Sequence, residues 1–287
     1  MDKTPLVSVT MPVYNGERTI QLAINSLLHQ TYQNWKCVIV NDCSVDNTQV
    51  ILEKYTSDNR FKIIHLPSNK GRGYARQVAL ENAEGDFLAF LDADDFYHPE
   101  KLEMQVKVFK DYPNICLCST GIGSFDINYK LRTCRGFSKY SYGTNYNSKL
   151  YPGFPASCMI KLISAQMYSY DTRLEVGEDN DFIYKCLVGN DYYIVNKILY
   201  FYEEIGAVSL RKFIRYQLKY INTLIITVSG LPLFFQLLKE IPKLVVKSIV
   251  GLLLGVDFLL MKRGRIPNRS ALHDYNLVLS NLRSEYG

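Results

Sequence analysis

The sequence lacks any cysteine pattern that would staple a fold or enclose a metal. Its seven cysteines are an odd number. Cys116-x-Cys118 is the single close pair, and no second pair or histidine cluster completes a zinc site. The cysteines are expected as small buried hydrophobes in a reducing cytoplasm. The opening stretch, MDKTPLVSVTMPVY, has no basic region followed by a long apolar run, so no secretory leader is expected. A dinucleotide fingerprint is missing as well, because GRG at 71–73 is too short and follows the wrong strand. Long apolar runs are scarce. Tyr220 to Leu238 is uncharged for 19 residues, but Gly230 and Pro232 interrupt it, and Asn222, Thr223, Thr227, Ser229 and Gln236 make it polar. Acidic residues are the last deficit, and it is local. From Gly206 onward there are 4 Asp and Glu against 12 Lys and Arg, whereas the preceding residues have 24 against 21. A boundary near residue 205 follows, between an acidic front (1–205) and a basic, Leu-, Ile- and Val-rich tail (206–287).

What is present suits a globular core, with 47% hydrophobic and 21% charged residues. The front alternates strands and helices. VSVTMPV (7–13), WKCVIVN (35–41), FKIIHL (61–66), DFLAFL (86–91) and NICLCST (114–120) are apolar, β-branched runs. Between them, 17–30, 46–55, 73–83 and the segment from Pro99 to Phe109 have helical spacing, with Asp46 expected as an N-cap and Gln49 at the N3 position of a capping box. YYIV and KILYFY are expected as two further strands. The alternation predicts right-handed crossovers and a mostly parallel α/β sheet flanked by helices. Ligands of such sheets bind beyond the C-terminal strand ends. Polar residues gather there: Tyr14 and Asn15, then Asp42, then Asp92 and Asp94.

Alternate carboxylates just past a strand can share a divalent cation, and oxygen donors favour Mg2+ or Mn2+ together with substrate phosphates. A solvated turn, or an acid near the N-terminus of the Pro99 helix, would explain Asp95 equally. Asp42 has no capping role and can accept a nucleobase imide N–H. In GEDNDF, the acids Glu178, Asp179 and Asp181 precede helical apolar spacing, so each is a candidate base or a favourable acid at a helix N-terminus. The Tyr-, Gly- and Ser-rich middle, 121–176, suits a face for a polyhydroxylated partner, or an ordinary long loop.

VSVTMPVYNGERTI, VNDCSVDNT, NKGRGYARQVALENAEGDFLAFLDADD and GEDNDF occur in order over residues 7 to about 185. In this the chain resembles family 2 glycosyltransferases, inverting nucleotide-sugar-dependent enzymes of the Rossmann-like GT-A fold. The resemblance implies that Pro12, Tyr14 and Glu17 form the first nucleotide-contacting loop and that Asp42 reads the base. Arg76 matches the basic position of an A-R-N pattern, with Gln77 in place of Asn. Asp92 would lie near the ribose or sugar, Asp94 would bind the metal (Mn2+ or Mg2+), and Asp179 would be the acceptor-activating base. Lys70-Gly71 aligns loosely with a loop near the nucleotide. The Q-x-x-R-W motif of processive members is missing from SLRKFIRYQLKY, which implies one sugar per encounter. Ser209 and Arg211 in GAVSLR are candidates near the diphosphate. The implied activity is transfer from a UDP- or dTDP-sugar to a saccharide acceptor, one carried on a lipid, in polysaccharide assembly. A degenerate nucleotide-sugar-binding protein or a nucleotidyltransferase on a similar sheet are the alternatives.

In the tail, Arg211, Arg215 and Lys219, and again Lys239, Lys243 and Lys247, fall four residues apart and make two cationic stripes. The expectation is an amphipathic helix on a membrane surface, broken or restarted at Pro242, with basic residues against anionic headgroups. That makes the protein cytoplasmic and peripheral on the inner face of the cell membrane. A true span, or a soluble helical subdomain or homo-oligomer interface, are the alternatives. The apolar density without Arg–aromatic interleaving argues against nucleic acid.

Overall fold

The computed structural model describes residues 4–138, 141–146, 153–205 and 209–284. In chain order these form β1 (Val7–Val13), α1 (Ile20–Leu28), β2 (Trp35–Asn41), α2 (Thr48–Glu53), β3 (Phe61–His65), α3 (Arg72–Glu81), β4 (Phe87–Phe90), β5 (Phe96–Tyr97), α4 (Lys101–Asp111), β6 (Ile115–Asp126), β7 (Leu131–Arg135) and β8 (Tyr142–Gly143). They continue with β9 (Met159–Lys161), α5 (Leu162–Ala165), α6 (Glu178–Leu187), β10 (Asp191–Ile205), α7 (Leu210–Thr227), α8 (Gly230–Leu254), α9 (Val256–Met261) and α10 (Arg269–Ser284). The strands share one sheet in the order β3-β2-β1-β4-β9-β6-β10-β5, with β7 on β6 and β8 on β10.

The first four strands of that order are parallel, as the strand–helix alternation predicts. The other half is mixed: β9 enters antiparallel between β4 and β6, while β6 and β10 run parallel. β4 is buried along its length, which explains its unbroken apolar sequence. One core lies between the sheet and α1 and α4, built on Ile24, Leu27, Leu102 and Phe109. A second lies on the opposite face under α6, built on Phe182, Ile183 and Leu187.

Several local expectations change. The N-cap of α2 is Asn47 and carries no side-chain cap bond; Asp46 instead accepts the Thr48 N–H at 3.0 Å from just outside the helix. Glu100, one residue after Pro99, precedes the first turn of α4. YYIV and KILYFY form one strand, β10, whose register shifts between Val195 and Ile198. The two-residue β5 sits inside the acidic motif and pairs with Tyr200 and Phe201 of β10.

The tail divides into two parts. α7 and α8 pack together, and α8 runs through Pro242 without a break. Pro242 is exposed, so solvent can take the carbonyl it leaves unpaired. α10 returns to the main body. Tyr275, Val278 and Leu282 are buried with Phe96, Phe125 and Phe201, and the Tyr275 hydroxyl donates to the Tyr129 carbonyl at 2.9 Å. Asn25 of α1 donates to the Leu282 carbonyl at 3.2 Å. Truncating a fully buried aromatic of this kind costs about 3–5 kcal/mol. Tyr275→Ala should therefore lower the single urea-unfolding transition of the whole chain by that amount. A segment folding apart from the sheet would leave the main transition unmoved.

Candidate active site

Two strand-end loops are stitched to one another before any ligand arrives. After β1, Asn15 takes a left-handed conformation (φ 53°), and its side chain accepts the Val45 N–H at 2.9 Å. Its own N–H goes to Ser44 Oγ at 2.9 Å, and the Gly16 N–H goes to Thr48 Oγ1 at 2.8 Å. Glu17 donates its backbone N–H to Asp46 at 3.0 Å, while its carboxylate accepts the Asn47 N–H at 3.0 Å. The loops after β1 and β2 thus hold each other's backbone donors.

These loops open onto a cleft of about 850 Å³ along the C-terminal strand ends. Pro12, Tyr14, Asp42, Arg76, Asp92 and Asp94 all line it. Tyr14 is half exposed, whereas Asp42 is buried. The Asp42 carboxylate accepts the N–H groups of Lys70 at 2.7 Å and Gly71 at 2.8 Å. Gly71 precedes α3 at φ +86°, a left-handed position that a side chain would strain. The loosely aligned Lys70-Gly71 pair therefore positions Asp42 and the start of α3 at once.

Arg76 of α3 is buried and forks between two carboxylates. It reaches Asp92 at 2.7 Å and Glu178 at 2.5 Å. Glu178, in the first turn of α6, is fully buried and also takes Arg72 at 2.8 Å. Burial pushes the Glu178 carboxyl up despite Arg76, and among the described residues its Oε2 has no hydrogen-bond partner. Burial opposes the Arg76 charge, but Asp92 and Glu178 more than offset this and hold its pKa well above the ordinary value.

The three aspartates after β4 separate by environment. Asp92 pairs with Arg76. Asp95 is buried, accepting the Tyr200 hydroxyl at 2.5 Å and the Glu203 N–H at 2.9 Å, so it anchors β10 rather than α4. Asp94 faces the cleft, and among the described residues no cation forms an ion pair with it. Desolvation by the surrounding walls, then the charge of Asp92, pushes its carboxyl up to about 6.

Two expected residues stand apart. Glu17 is exposed and is not part of the cleft wall, because its carboxylate is spent on Asn47. Asp179 lines a small adjoining pocket with Arg76, Phe90, Pro155, Ala156, Tyr170 and Ile183. Arg76 is common to both spaces. Asp181 pairs with Lys185 along α6 at 2.6 Å. Gln77 turns away, accepting the Tyr170 N–H at 2.8 Å. Ser209 caps α7 by accepting the Lys212 N–H at 3.2 Å, and Arg211 is exposed outside the cleft; 206–208 of GAVSLR lie outside the described residues.

Other cleft residues escaped the sequence reading. Arg18 pairs with the buried Glu203 at 2.5 Å, and Glu204 is held by Arg135 at 3.0 Å and Arg263 at 2.9 Å. Glu203 and Glu204 end β10, so the strand-end rule applied to KILYFYEE would have found them. Lys212, Tyr216 and Tyr220 come from α7.

The model of "Glycosyl transferase family 2" matches residues 8–169. The chain belongs to glycosyl transferase family 2. It is 43% identical over 104 residues to the putative teichuronic acid biosynthesis glycosyltransferase TuaG of Bacillus subtilis, covering 36% of this chain and 41% of that protein. It is 46% identical over 103 residues to WfgD of Escherichia coli, a UDP-Glc:alpha-D-GlcNAc-diphosphoundecaprenol beta-1,3-glucosyltransferase, covering 36% of this chain and 40% of that one. Both matches thus span about two fifths of the relatives' length. Among solved structures, S. aureus TarS in complex with UDP-GlcNAc superimposes with a TM-score of 0.62 at 25% identity, over 76% of this chain and 66% of that one. The mannosyltransferase PcManGT from Pyrobaculum calidifontis, in complex with GDP-Man and Mn2+, shares the fold, with a TM-score of 0.59 at 14% identity, over 100% of this chain and 77% of that one.

The charge of Asp94 has a measurable consequence. A carboxyl raised from 3.8 to about 6 contributes stability that is complete below the unfolded pKa and lost as pH rises through about 6. Asp94→Asn removes that loss. With the solvent access of the group allowed for, the variant should be about 1 kcal/mol more stable than the parent at pH 7. The gap should close by about pH 4 in thermal melts without divalent cation.

Proposed function

We propose that the chain is a metal-assisted, inverting glycosyltransferase that moves one sugar from a UDP- or dTDP-sugar to a hydroxyl of a lipid-linked saccharide. The observation that carries this is the gathering of Asp42, Asp92 and Asp94 at one cleft, with Asp179 across Arg76 from them. TarS, whose structures contain UDP and UDP-GlcNAc, and WfgD, named for a diphosphoundecaprenol acceptor, support the donor and acceptor classes.

Each Asp42 oxygen keeps a lone pair beyond its bond to the Lys70 or Gly71 amide, enough to accept a nucleobase imide N–H. Pro12 and Tyr14 frame the base. Asp92, fixed by Arg76, orients donor hydroxyls. Glu17 braces the loop through Asn47 from outside the cleft wall.

Asp94 and Asp92 offer carboxylate oxygens of the kind a hard divalent ion takes; among the described residues no group of three His, Cys, Asp or Glu side chains surrounds a metal position, so substrate phosphates would complete the shell. An ionised carboxylate beside Asp92 and Glu203 concentrates negative charge that a cation would relieve, and Mg2+ or Mn2+ commonly takes one or two carboxylates plus substrate phosphates. When bound, such an ion would neutralise charge developing on the leaving diphosphate. Asp179 accepts the proton of the acceptor hydroxyl as that oxygen attacks the anomeric carbon in line with the departing diphosphate. Inversion follows from a single displacement.

Incubation with a panel of nucleotide-sugars and Mn2+ tests the reading without an acceptor. Slow hydrolysis of a UDP- or dTDP-sugar is expected, and hydrolysis of none overturns it. A general base contributes about 10²–10⁴-fold. Asp179→Asn should lose transfer by that factor while retaining nucleotide-sugar binding. Full transfer by the variant would remove Asp179 from the role.

The reading extends to location, as a protein peripheral on the cytoplasmic face of a membrane. No helix among the described residues is long and apolar enough to cross a membrane. α8 instead exposes Phe234, Phe235, Leu238, Val245 and Leu252, interspersed with Lys239 and Lys243. An apolar face with interspersed lysines suits shallow insertion among anionic headgroups. The protein should co-float with vesicles containing phosphatidylglycerol, float less with neutral vesicles, and be released by carbonate. Flotation that ignores lipid charge and resists carbonate would contradict this.

A further inference from the structure

Beside the strand ends, the C-terminal helices complete the wall of the cleft. Lys212, Tyr216 and Tyr220 recur every four residues along α7, so they share one face, and all three line the cleft. Phe213 of α7 and Leu260 of α9 are buried together with Val256. That packing carries Lys212, beside Phe213, and Arg263, three residues past Leu260, to the same corner of the cleft.

The corner is cationic in an otherwise acidic site. Glu204 is already held by Arg135 at 3.0 Å and by Ser124 Oγ at 3.1 Å, and Arg263 reaches it with one nitrogen at 2.9 Å. Two guanidinium groups thus share one carboxylate. Arg263 is 44% exposed and keeps further N–H donors for the cleft. Among the described residues Lys212 forms no ion pair, while its backbone N–H is fixed by the Ser209 cap. Tyr216 and Tyr220 are each 38% exposed; Arg72 lies over one face of the Tyr216 ring, 6.0 Å from its centroid, which leaves its other face and the Tyr220 ring for a pyranose to stack on. α8, packed on α7, then presents Phe234, Phe235 and Leu238 to the outside. Tyrosine rings, two cations and an apolar surface thus meet on the C-terminal helices. They match the sugar, the diphosphate and the hydrocarbon of a glycosyl diphospholipid.

We propose that Lys212 and Arg263, with Tyr216 and Tyr220, form a subsite for a saccharide diphosphate, separate from the position of the donor diphosphate. In this subsite the cations take the diphosphate by charge-assisted hydrogen bonds and the tyrosines take the sugar. The assignment rests on the transferase reading for its role as acceptor, but binding itself is measurable without turnover.

The probe is a hexosaminyl diphosphate bearing a short alkyl chain, compared by calorimetry with the same alkyl hexosaminide lacking the diphosphate. Both are titrated into the full chain with and without saturating UDP and Mn2+. The diphosphate should bind at least tenfold more tightly than the plain glycoside, and should do so with UDP present. Charge-assisted contacts of this kind are worth about ten- to hundredfold in affinity. Lys212→Gln should shrink the preference by about that factor, and Lys212→Arg should restore it. Lys212 is exposed, so these variants should fold as the parent does. Wild-type protein that binds both compounds alike, or neither, overturns the subsite. Diphosphate binding that UDP abolishes would assign the cations to the donor instead. Failure to bind UDP would sink the transferase reading alone, leaving the diphosphate preference to be read on its own.

Discussion

Everything at the floor of the cleft depends on the buried guanidinium of Arg76. It joins the end of β4, through Asp92, to the start of α6, through Glu178, from α3, whose Leu80 shares a core with Leu88 of β4 and Phe182 of α6. A buried charge is tolerated only when partners and hydrogen bonds satisfy it, and removing one partner strands the others. That makes the arrangement all-or-none. With Arg76 in place, Asp92 can stand beside Asp94 and Asp95 as part of a dense negative cluster. The residue after Glu178 then faces the far side of the same guanidinium. Electrostatic discomfort is moved to Asp94, the one aspartate of the three left open to an outside cation.

Around this floor the parallel strands act as a delivery system, and the loops are made rigid by one another. The turn after β1 gives its backbone donors to Ser44, Thr48 and Asp46, and the turn after β2 gives donors to Asn15 and Glu17. Residues such as Asp46 and Glu17 keep the cleft edge in shape without lining it. α7 is fastened to the segment before α6: Thr223 Oγ1 donates to the Val176 carbonyl at 2.7 Å, and Lys219 pairs with Glu175. The lysine expected on a cationic stripe is therefore held at the surface by an ion pair with Glu175. The surface that would meet lipid is linked within a few residues to the turn carrying Asp179.

Much of this was legible in the sequence because it is local. Apolar runs of strand length followed by acids announced β1, β2 and β4 and their polar ends, and the helical periodicity of α1, α3 and α6 was visible in short windows. What was hidden depends on partners far along the chain. β9 is three residues long, and its antiparallel place between β4 and β6 leaves no periodic trace. The return of α10 is decided by a pocket of Phe96, Phe125 and Phe201 from three different strands, so its own basic and apolar composition pointed to a detached tail. Glu203 and Glu204 went unnoticed at the end of KILYFYEE, and the arginines that converge on them, Arg18, Arg135 and Arg263, lie far along the chain. Glu17 followed the family pattern, yet its geometry is that of a loop brace, because Asn47 competes for its carboxylate. The division between Glu178 and Asp179 was also invisible in GED. Only the burial of one and the partial exposure of the other separates an anchor from a candidate base.

The linkage of Arg76 to the half-buried Asp92 and the fully buried Glu178 also constrains how such a chain can diverge. No member of the trio can drift alone, since each solitary replacement strands an uncompensated charge in the interior. The loops after β1 and β2, which hold each other's backbone donors, are likewise tied to change together. The floor can change only by coordinated exchange, so lineages with altered specificity would keep an identical electrostatic keel.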